Sequence, residues 1–183
     1  MSWITEQLAV GGSFPFERAG HLVCKLRIEA AIDLRGEEVP DCESLAQQGI
    51  DLLHLPTEDL GPIADGDIEH GIRFATEHLD RGKRLLVHCA YGIGRSATLA
   101  LCLLVHKGFA PLDALALMKA RRAMIAPSPS QFRCWEAWLD SFRFSNDVDW
   151  PLPTYTQFKL IAYQRSSDQS SVLARRNASG SAK

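Results

Sequence analysis

No apolar stretch in this sequence is long enough to cross a bilayer. The start, Met1-Ser2-Trp3-Ile4-Thr5-Glu6, lacks the basic residues and apolar core of a secretory leader. Charge of one sign is missing as well: Lys and Arg number 20 against 22 Asp and Glu, a formal net charge of -2. That balance leaves no electrostatic footprint for a nucleic acid or an anionic membrane surface. Cysteines are few and odd in number, 5 among 183 residues without paired spacing, which argues against a disulfide framework and for a reducing compartment. No His, Cys and Asp group has metal-ligand spacing, and no internal repeat recurs. These absences predict a soluble, cytoplasmic chain with no metal and no cofactor. What the chain does have is apolar material, 46% of its residues, enough for the core of one domain.

The most informative stretch is Leu85-Leu86-Val87-His88-Cys89-Ala90-Tyr91-Gly92-Ile93-Gly94-Arg95-Ser96. A short apolar run suited to a buried strand enters a glycine-punctuated loop, and a long apolar helix starts at the far end. Backbone N–H groups in such a loop converge on one point, where the dipole of the following helix adds partial positive charge; an anion fits there. Cys89 stands at the entrance, where the same groups lower a thiol pKa and make a nucleophilic thiolate. Arg95 offers a planar fork able to hold two oxygens of a phosphoryl group. Ser96 places a hydroxyl near the sulfur. Gly92 and Gly94 let the backbone turn tightly and approach the anion. A Cys with an Arg six places on arises by chance in roughly one such sequence in three, so spacing alone is weak. The other cysteines, Cys24, Cys42, Cys102 and Cys134, are followed at that distance by Ala30, Gln48, Gly108 and Asp140. Cys89 alone also has the strand, the glycines and the helix.

Around this stretch the pattern alternates. Strands are expected at Leu8–Gly12, Glu29–Arg35 and Ile50–Leu55, with helices at 15–25, 41–48 and 65–81, then a nearly all-apolar helix at 95–107 and further helices at 111–119 and from Pro129 to Phe142. Strand and helix in alternation imply βαβ units, hence an α/β fold with a mainly parallel central sheet of four to five strands flanked by helices. Asp33 and Arg35 read as a structural ion pair or cap, and His54 as a satisfied strand-end histidine. Arg121 and Arg122 read as solvated, with capping of carbonyls or attraction of a second anion as the alternatives. The loop Pro56-Thr57-Glu58-Asp59-Leu60-Gly61-Pro62 follows a strand's C-terminal end, where open α/β sheets place their sites, and carries two carboxylates suited to proton donation. Tyr155 to Tyr163 is expected to pack back on the domain. Residues 166–183, rich in Ser, Ala, Arg and Gly, are expected to be a disordered tail. The expected division is a catalytic domain at 1–145, a C-terminal extension at 146–165, and that tail.

His88-Cys89-Ala90-Tyr91-Gly92-Ile93-Gly94-Arg95-Ser96 resembles the His-Cys-x-x-Gly-x-x-Arg-Ser/Thr signature of cysteine-dependent protein phosphatases, most closely the dual-specificity branch; by order of elements the resemblance runs from Trp3 to Phe142. It implies a phosphatase-type three-layer sandwich and a phosphate-binding loop made of His88, Ala90, Tyr91, Gly92, Ile93 and Gly94. Hydrolysis would run through a phosphocysteine on Cys89. Arg95 would stabilise the transferring phosphoryl group, and Ser96 would steady the sulfur as it leaves. Asp59, thirty residues before the cysteine, matches the family's general acid, with Glu58 its rival. His88 would orient the loop through hydrogen bonds. Gln131 is a candidate for holding the hydrolytic water and equally an ordinary helix-start residue.

The implied substrates are phosphorylated proteins, on phosphotyrosine and also phosphoserine or phosphothreonine. Phosphoinositide or another small phosphomonoester is the alternative, and a catalytically weak phospho-binding module is the alternative of another class. The uncharged loop residues Ala90, Tyr91 and Ile93 differ from the Lys or Arg that inositide-directed relatives often carry. Gly94, Ser96 and Ala97 depart from the pattern of RNA-triphosphatase relatives. Low-molecular-weight phosphatases place their loop near the N-terminus, and a rhodanese-type sulfurtransferase would lack the upstream acid. A pseudophosphatase would be expected to have lost Cys89, Arg95 or Asp59, and all three are present.

Overall fold

The computed structural model describes residues 1–164; the expected tail at 166–183 lies outside them. The order of elements is β1 (Ser2–Trp3), β2 (Leu8–Gly11), a 3-10 turn (Phe16–Arg18) leading into α1 (Ala19–Leu26), β3 (Ile28–Arg35), α2 (Cys42–Gln47), β4 (Asp51–Thr57), α3 (Asp65–Asp80), β5 (Arg84–His88), α4 (Arg95–His106), α5 (Pro111–Arg121), α6 (Pro129–Asn146) and α7 (Tyr155–Ala162). The five strands form one sheet in the order β1-β2-β5-β3-β4, parallel except for β1. The fold class is therefore α/β, as the alternation implied. β1 was not expected: two residues carry no period, and they form a strand because they pair with Ala9 and Val10.

β5 is the central strand, hydrogen-bonded to β2 on one side and β3 on the other. A strand covered on both faces needs apolar residues at successive positions, and Leu85, Leu86 and Val87 are all buried. They divide between two cores. Leu85 and Val87 face α3–α7, whereas Leu86 joins Ala9, Ile28, Ala31 and Ile50 under α1 and α2. Pro56 fits in β4 because that strand is an edge, where a missing N–H breaks no ladder. α4 is buried from Arg95 to Val105, which fixes the loop before it against the centre of the sheet.

Beyond Phe142 the described residues continue in helix. α6 runs to Asn146 and ends at Asp147, a non-glycine residue in the left-handed region with φ of 50°. α7 returns to the core through Phe158 and Ala162, and the Phe158 ring lies tilted against Phe132 at 4.8 Å between ring centres. Buried Lys119 on α5 donates to the Ala162 carbonyl at 2.6 Å and to the Ile125 carbonyl at 3.1 Å. Among the described residues no helix is long and apolar enough to cross a membrane.

Candidate active site

The loop between β5 and α4 is shaped by where its carbonyls go. Ala90 O accepts from Ser13 N at 3.0 Å, Tyr91 O from Arg122 Nη2 at 3.0 Å, and Gly92 O from Arg122 Nε at 2.7 Å. Ile93 O accepts from Ala126 N at 3.0 Å, and Gly94 O from Thr98 N at 2.9 Å and Thr98 Oγ1 at 3.0 Å. A trans peptide points its C=O and the next N–H in opposite directions. Five successive carbonyls tied outward therefore turn the amides of residues 91–95 inward, into an anion-binding concavity. Gly92 is needed for it: its φ is +69°, and a Cβ there would run into the Gly11 carbonyl and the Arg122 guanidinium. At Gly94 a Cβ would stand 2.5 Å from Gln131 Oε1.

Cys89 sits within this ring, buried, with Gly92 N donating to its sulfur at 3.2 Å and Ser96 Oγ at 3.4 Å from it. Burial pushes the thiol pKa up, but hydrogen bonds from the Ser96 hydroxyl and from the Ser96, Gly92 and Tyr91 amides outweigh it, and the net shift is downward. Elsewhere burial wins: the Cys102 thiol is pushed well up and that of Cys134 is raised, so a depressed thiol goes with this loop.

The Arg95 side chain is almost fully buried, at 1% exposure. Glu37 takes one edge of its guanidinium with two bonds, 2.7 Å to Nη1 and 3.0 Å to Nη2, and the Thr57 and Leu34 carbonyls accept from Nη1 at 3.0 and 3.4 Å. Asp59 Oδ1 lies 3.1 Å from Nη2. Nε is buried without a hydrogen-bond partner among the described residues. The second edge, Nε with Nη2, is thus the one left for an incoming oxyanion. Arg95 holds the Glu37 carboxyl down at about 2.

The structure brings together Cys89, Arg95, Ser96, Asp59 and the six loop residues. Glu58 and Asp59 share a cleft with Glu37, Gly36, Pro56, Ala90 and Tyr91, and Arg95 pairs with two of its three carboxylates, Glu37 and Asp59. Gln131 is buried against Gly94, and its Oε1 accepts from Ser128 N at 2.8 Å in a capping box while Nε2 is unpartnered among the described residues. Among the described residues no group of three or more His, Cys, Asp and Glu is placed to hold a metal ion.

Two expectations are corrected. His88 does not orient the loop by hydrogen bonds: neither ring nitrogen has a partner among the described residues. Asp33 Oδ1 is 3.6 Å from Nδ1, but burial pushes the His88 pKa down to about 4 despite that carboxylate, so the ring is neutral and packs on Phe14 at 5.1 Å. The Asp33 carboxylate is instead taken up by Arg35, through its backbone N at 2.9 Å and its guanidinium at 2.8 Å. Arg122 is not solvated; it is buried and caps two loop carbonyls, whereas Arg121 is exposed. His54 is satisfied as expected, with Nε2 2.7 Å from the Arg35 carbonyl, but it lies in the middle of β4 rather than at a strand end. Glu37 and Ser128 were missed altogether.

A cysteine whose thiol pKa is lowered by a ring of inward amides, beside a buried arginine at the start of a central helix, defines a cysteine-dependent phosphatase. Residues 19–138 match the family model for the dual specificity phosphatase catalytic domain, and the chain belongs to that family. The 123R tyrosine phosphatase homologue of Invertebrate iridescent virus 6 is 33% identical over 69 residues, 36% of this chain and 49% of the viral protein, so the match spans about half the relative's length. The solved structure of PTPMT1 in complex with PI(5)P superposes with a TM-score of 0.73 at 20% identity, covering 78% of this chain and 96% of that one. Human DUSP28 gives 0.68 at 18% identity, covering 80% of this chain and 100% of that one. At those identities the two structures show the shared fold.

Proposed function

We propose that this chain hydrolyses phosphomonoesters on proteins, phosphotyrosine foremost and phosphoserine or phosphothreonine as well, through a phosphocysteine. The observation that carries the reading is the Cys89 sulfur ringed by the Gly92, Tyr91 and Ser96 amides beside the buried Arg95. The thiolate attacks phosphorus, forming an S–P bond as the P–O bond to the leaving group breaks. The loop amides and the free Nε/Nη2 edge of Arg95 hold the equatorial oxygens. A phosphoryl group arriving at that edge displaces Asp59 from Nη2 and lies beside it, and the Asp59 carboxyl, in its acid form, gives its proton to the departing oxygen. Asp59, now a carboxylate, takes a proton from water as the water's oxygen bonds to phosphorus. The sulfur leaves as thiolate, steadied by the Ser96 hydroxyl. No step draws on a metal, and the thiolate suits the reducing cytoplasm.

The acidic cleft supports a phosphoprotein over a polyphosphorylated head group. Glu37, Glu58 and Asp59 line it, and the cation that two of them touch, Arg95, is the one that grips the phosphoryl group under attack, so an extra phosphate on a substrate meets like charge.

The test is p-nitrophenyl phosphate turnover in EDTA by the wild type and Cys89→Ser, followed by phosphotyrosine peptides and phosphatidylinositol 5-phosphate. Vanadate-sensitive activity, lost in the variant and greater on the peptides, supports the reading. An active Cys89→Ser would refute the mechanism, and faster turnover of the lipid would refute the substrate class.

A further inference from the structure

The loop that carries Asp59 has little to hold it in place. Asp59 and Leu60 side chains stand largely in solvent, 60% and 65% exposed, so apolar burial contributes little to its closed position. The turn from Glu58 to Gly61 is closed by one backbone bond of 3.0 Å, and Leu60 adopts φ of +59°, a left-handed conformation that a leucine enters only at a cost. Among the described residues two polar ties join the turn to the rest of the site. One is the Asp59–Arg95 contact at 3.1 Å. The other runs from Ser128, whose Oγ donates to the Leu60 carbonyl at 2.7 Å.

From this geometry we propose that Ser128 is a positioning residue that latches the acid loop over the phosphate site. The proposal rests on the reading that Asp59 donates the proton. When a phosphoryl group takes the Nε/Nη2 edge of Arg95, the first tie is given up at the moment Asp59 must stay in place. The Ser128 tie is then the one that remains.

Ser128 is fastened to the same body as the phosphate loop. Its neighbours bind that loop's carbonyls, Ala126 N to Ile93 O and Arg122 to Tyr91 O and Gly92 O, and Gln131, three residues on, abuts Gly94. From the other side Tyr163 Oη donates to the Pro127 carbonyl at 2.7 Å. The hydroxyl divides its work: its lone pair caps α6 by accepting from Gln131 N at 3.1 Å, and its proton holds the acid loop. Thr keeps both capacities. Asp keeps the cap and has no proton to give at neutral pH, and Gly gives up the donor while remaining an accepted N-cap residue.

The experiment measures kcat on a phosphotyrosine peptide, whose phenol leaves poorly without a proton, and on p-nitrophenyl phosphate, which needs one far less. Wild type, Ser128→Thr, Ser128→Gly, Ser128→Asp and Asp59→Asn are compared, with thermal unfolding followed for each. Asp59→Asn should fall steeply on the peptide and little on the nitrophenyl ester. Ser128→Gly and Ser128→Asp should fall in the same sense by roughly tenfold, part of the ~10²–10⁴ that a positioned acid supplies, while Ser128→Thr retains the wild-type ratio of the two rates. Should Ser128→Gly melt below the assay temperature, Ser128→Asp decides. Wild-type rates in Ser128→Asp, or equal losses on both esters, would overturn the latch while leaving the acid assignment standing. Equal losses in Asp59→Asn would overturn that assignment and the latch with it.

Discussion

Ser96 bears on the thiolate twice, through its hydroxyl 3.4 Å from the sulfur and through its backbone amide. Ser96→Ala removes the first and leaves the second, so the Cys89 pKa rises toward its ordinary value. The rising acid limb of kcat/KM against pH should therefore move to higher pH, and alkylation of Cys89 by iodoacetate should move with it; an unmoved limb would mean the amides alone hold the anion. Glu37 supplies a second titration. Arg95 holds its carboxyl at about 2 against an ordinary 4.5, so the folded chain binds fewer protons there than the unfolded one. The stabilisation is present above about 4.5 and fades as pH falls toward 2. Glu37→Gln should lower the melting temperature at neutral pH, modestly because half of that side chain faces solvent, and the gap to wild type should close in acid. A gap that persisted in acid would assign Glu37 a packing role. Cys89, Arg95 and Ser96 were legible because one loop holds all three at fixed spacing. Glu37 and Arg122 were not: they reach Arg95 and Gly92 across 58 and 30 residues of sequence, a distance over which no local pattern speaks.

The strands and helices that build the scaffold announced themselves through periodicity, and the segments that orient the chemistry did not. β5 and α4 read plainly because both are apolar at nearly every position, as elements covered on all sides must be. The stretch from Arg122 to Ser128 has two arginines' worth of charge behind it and two prolines around it, which reads as a solvated turn. It is a strap between two loops, and between the Arg122 and Ser128 side chains its hydrogen bonds are made by backbone groups, the Ala126 N–H donating and the Ile125 and Pro127 carbonyls accepting, that look alike in any sequence. The same limit explains His88. A histidine beside a catalytic cysteine invites a hydrogen-bonding role, whereas its burial against Phe14 and the prior commitment of Asp33 to Arg35 are tertiary facts. Asp59 was placed by its separation from the cysteine in the family's pattern, and its neighbour Glu58 lines the same cleft.

The two ends of the described chain converge on the phosphate loop. At the N-terminus Ser2 Oγ accepts from Arg122 Nη1 at 3.3 Å; at the other end α7 closes over Phe132 and Trp135 and fastens the strap through Tyr163. The site thus depends on an element far from it, which gives a last prediction. Phe158 is fully buried among Phe132, Trp135 and Tyr155. Phe158→Ala should destabilise the fold by about 3–5 kcal/mol, the range for emptying a large aromatic site in a core. If α7 only thickens the core, the folded fraction should exchange its strap amides at wild-type rates and turn over substrate normally. If α7 anchors the strap, loss of its footing frees Pro127 and Ile125, and the Ala126 amide that binds the Ile93 carbonyl exchanges faster than amides in β3. Hydrogen exchange on Phe158→Ala below its melting temperature separates the two; the bonds from Lys119 and Tyr163 lead us to expect the second. Uniform acceleration across the strap and β3 alike would mark a global loss of stability and remove the case for a dedicated anchor.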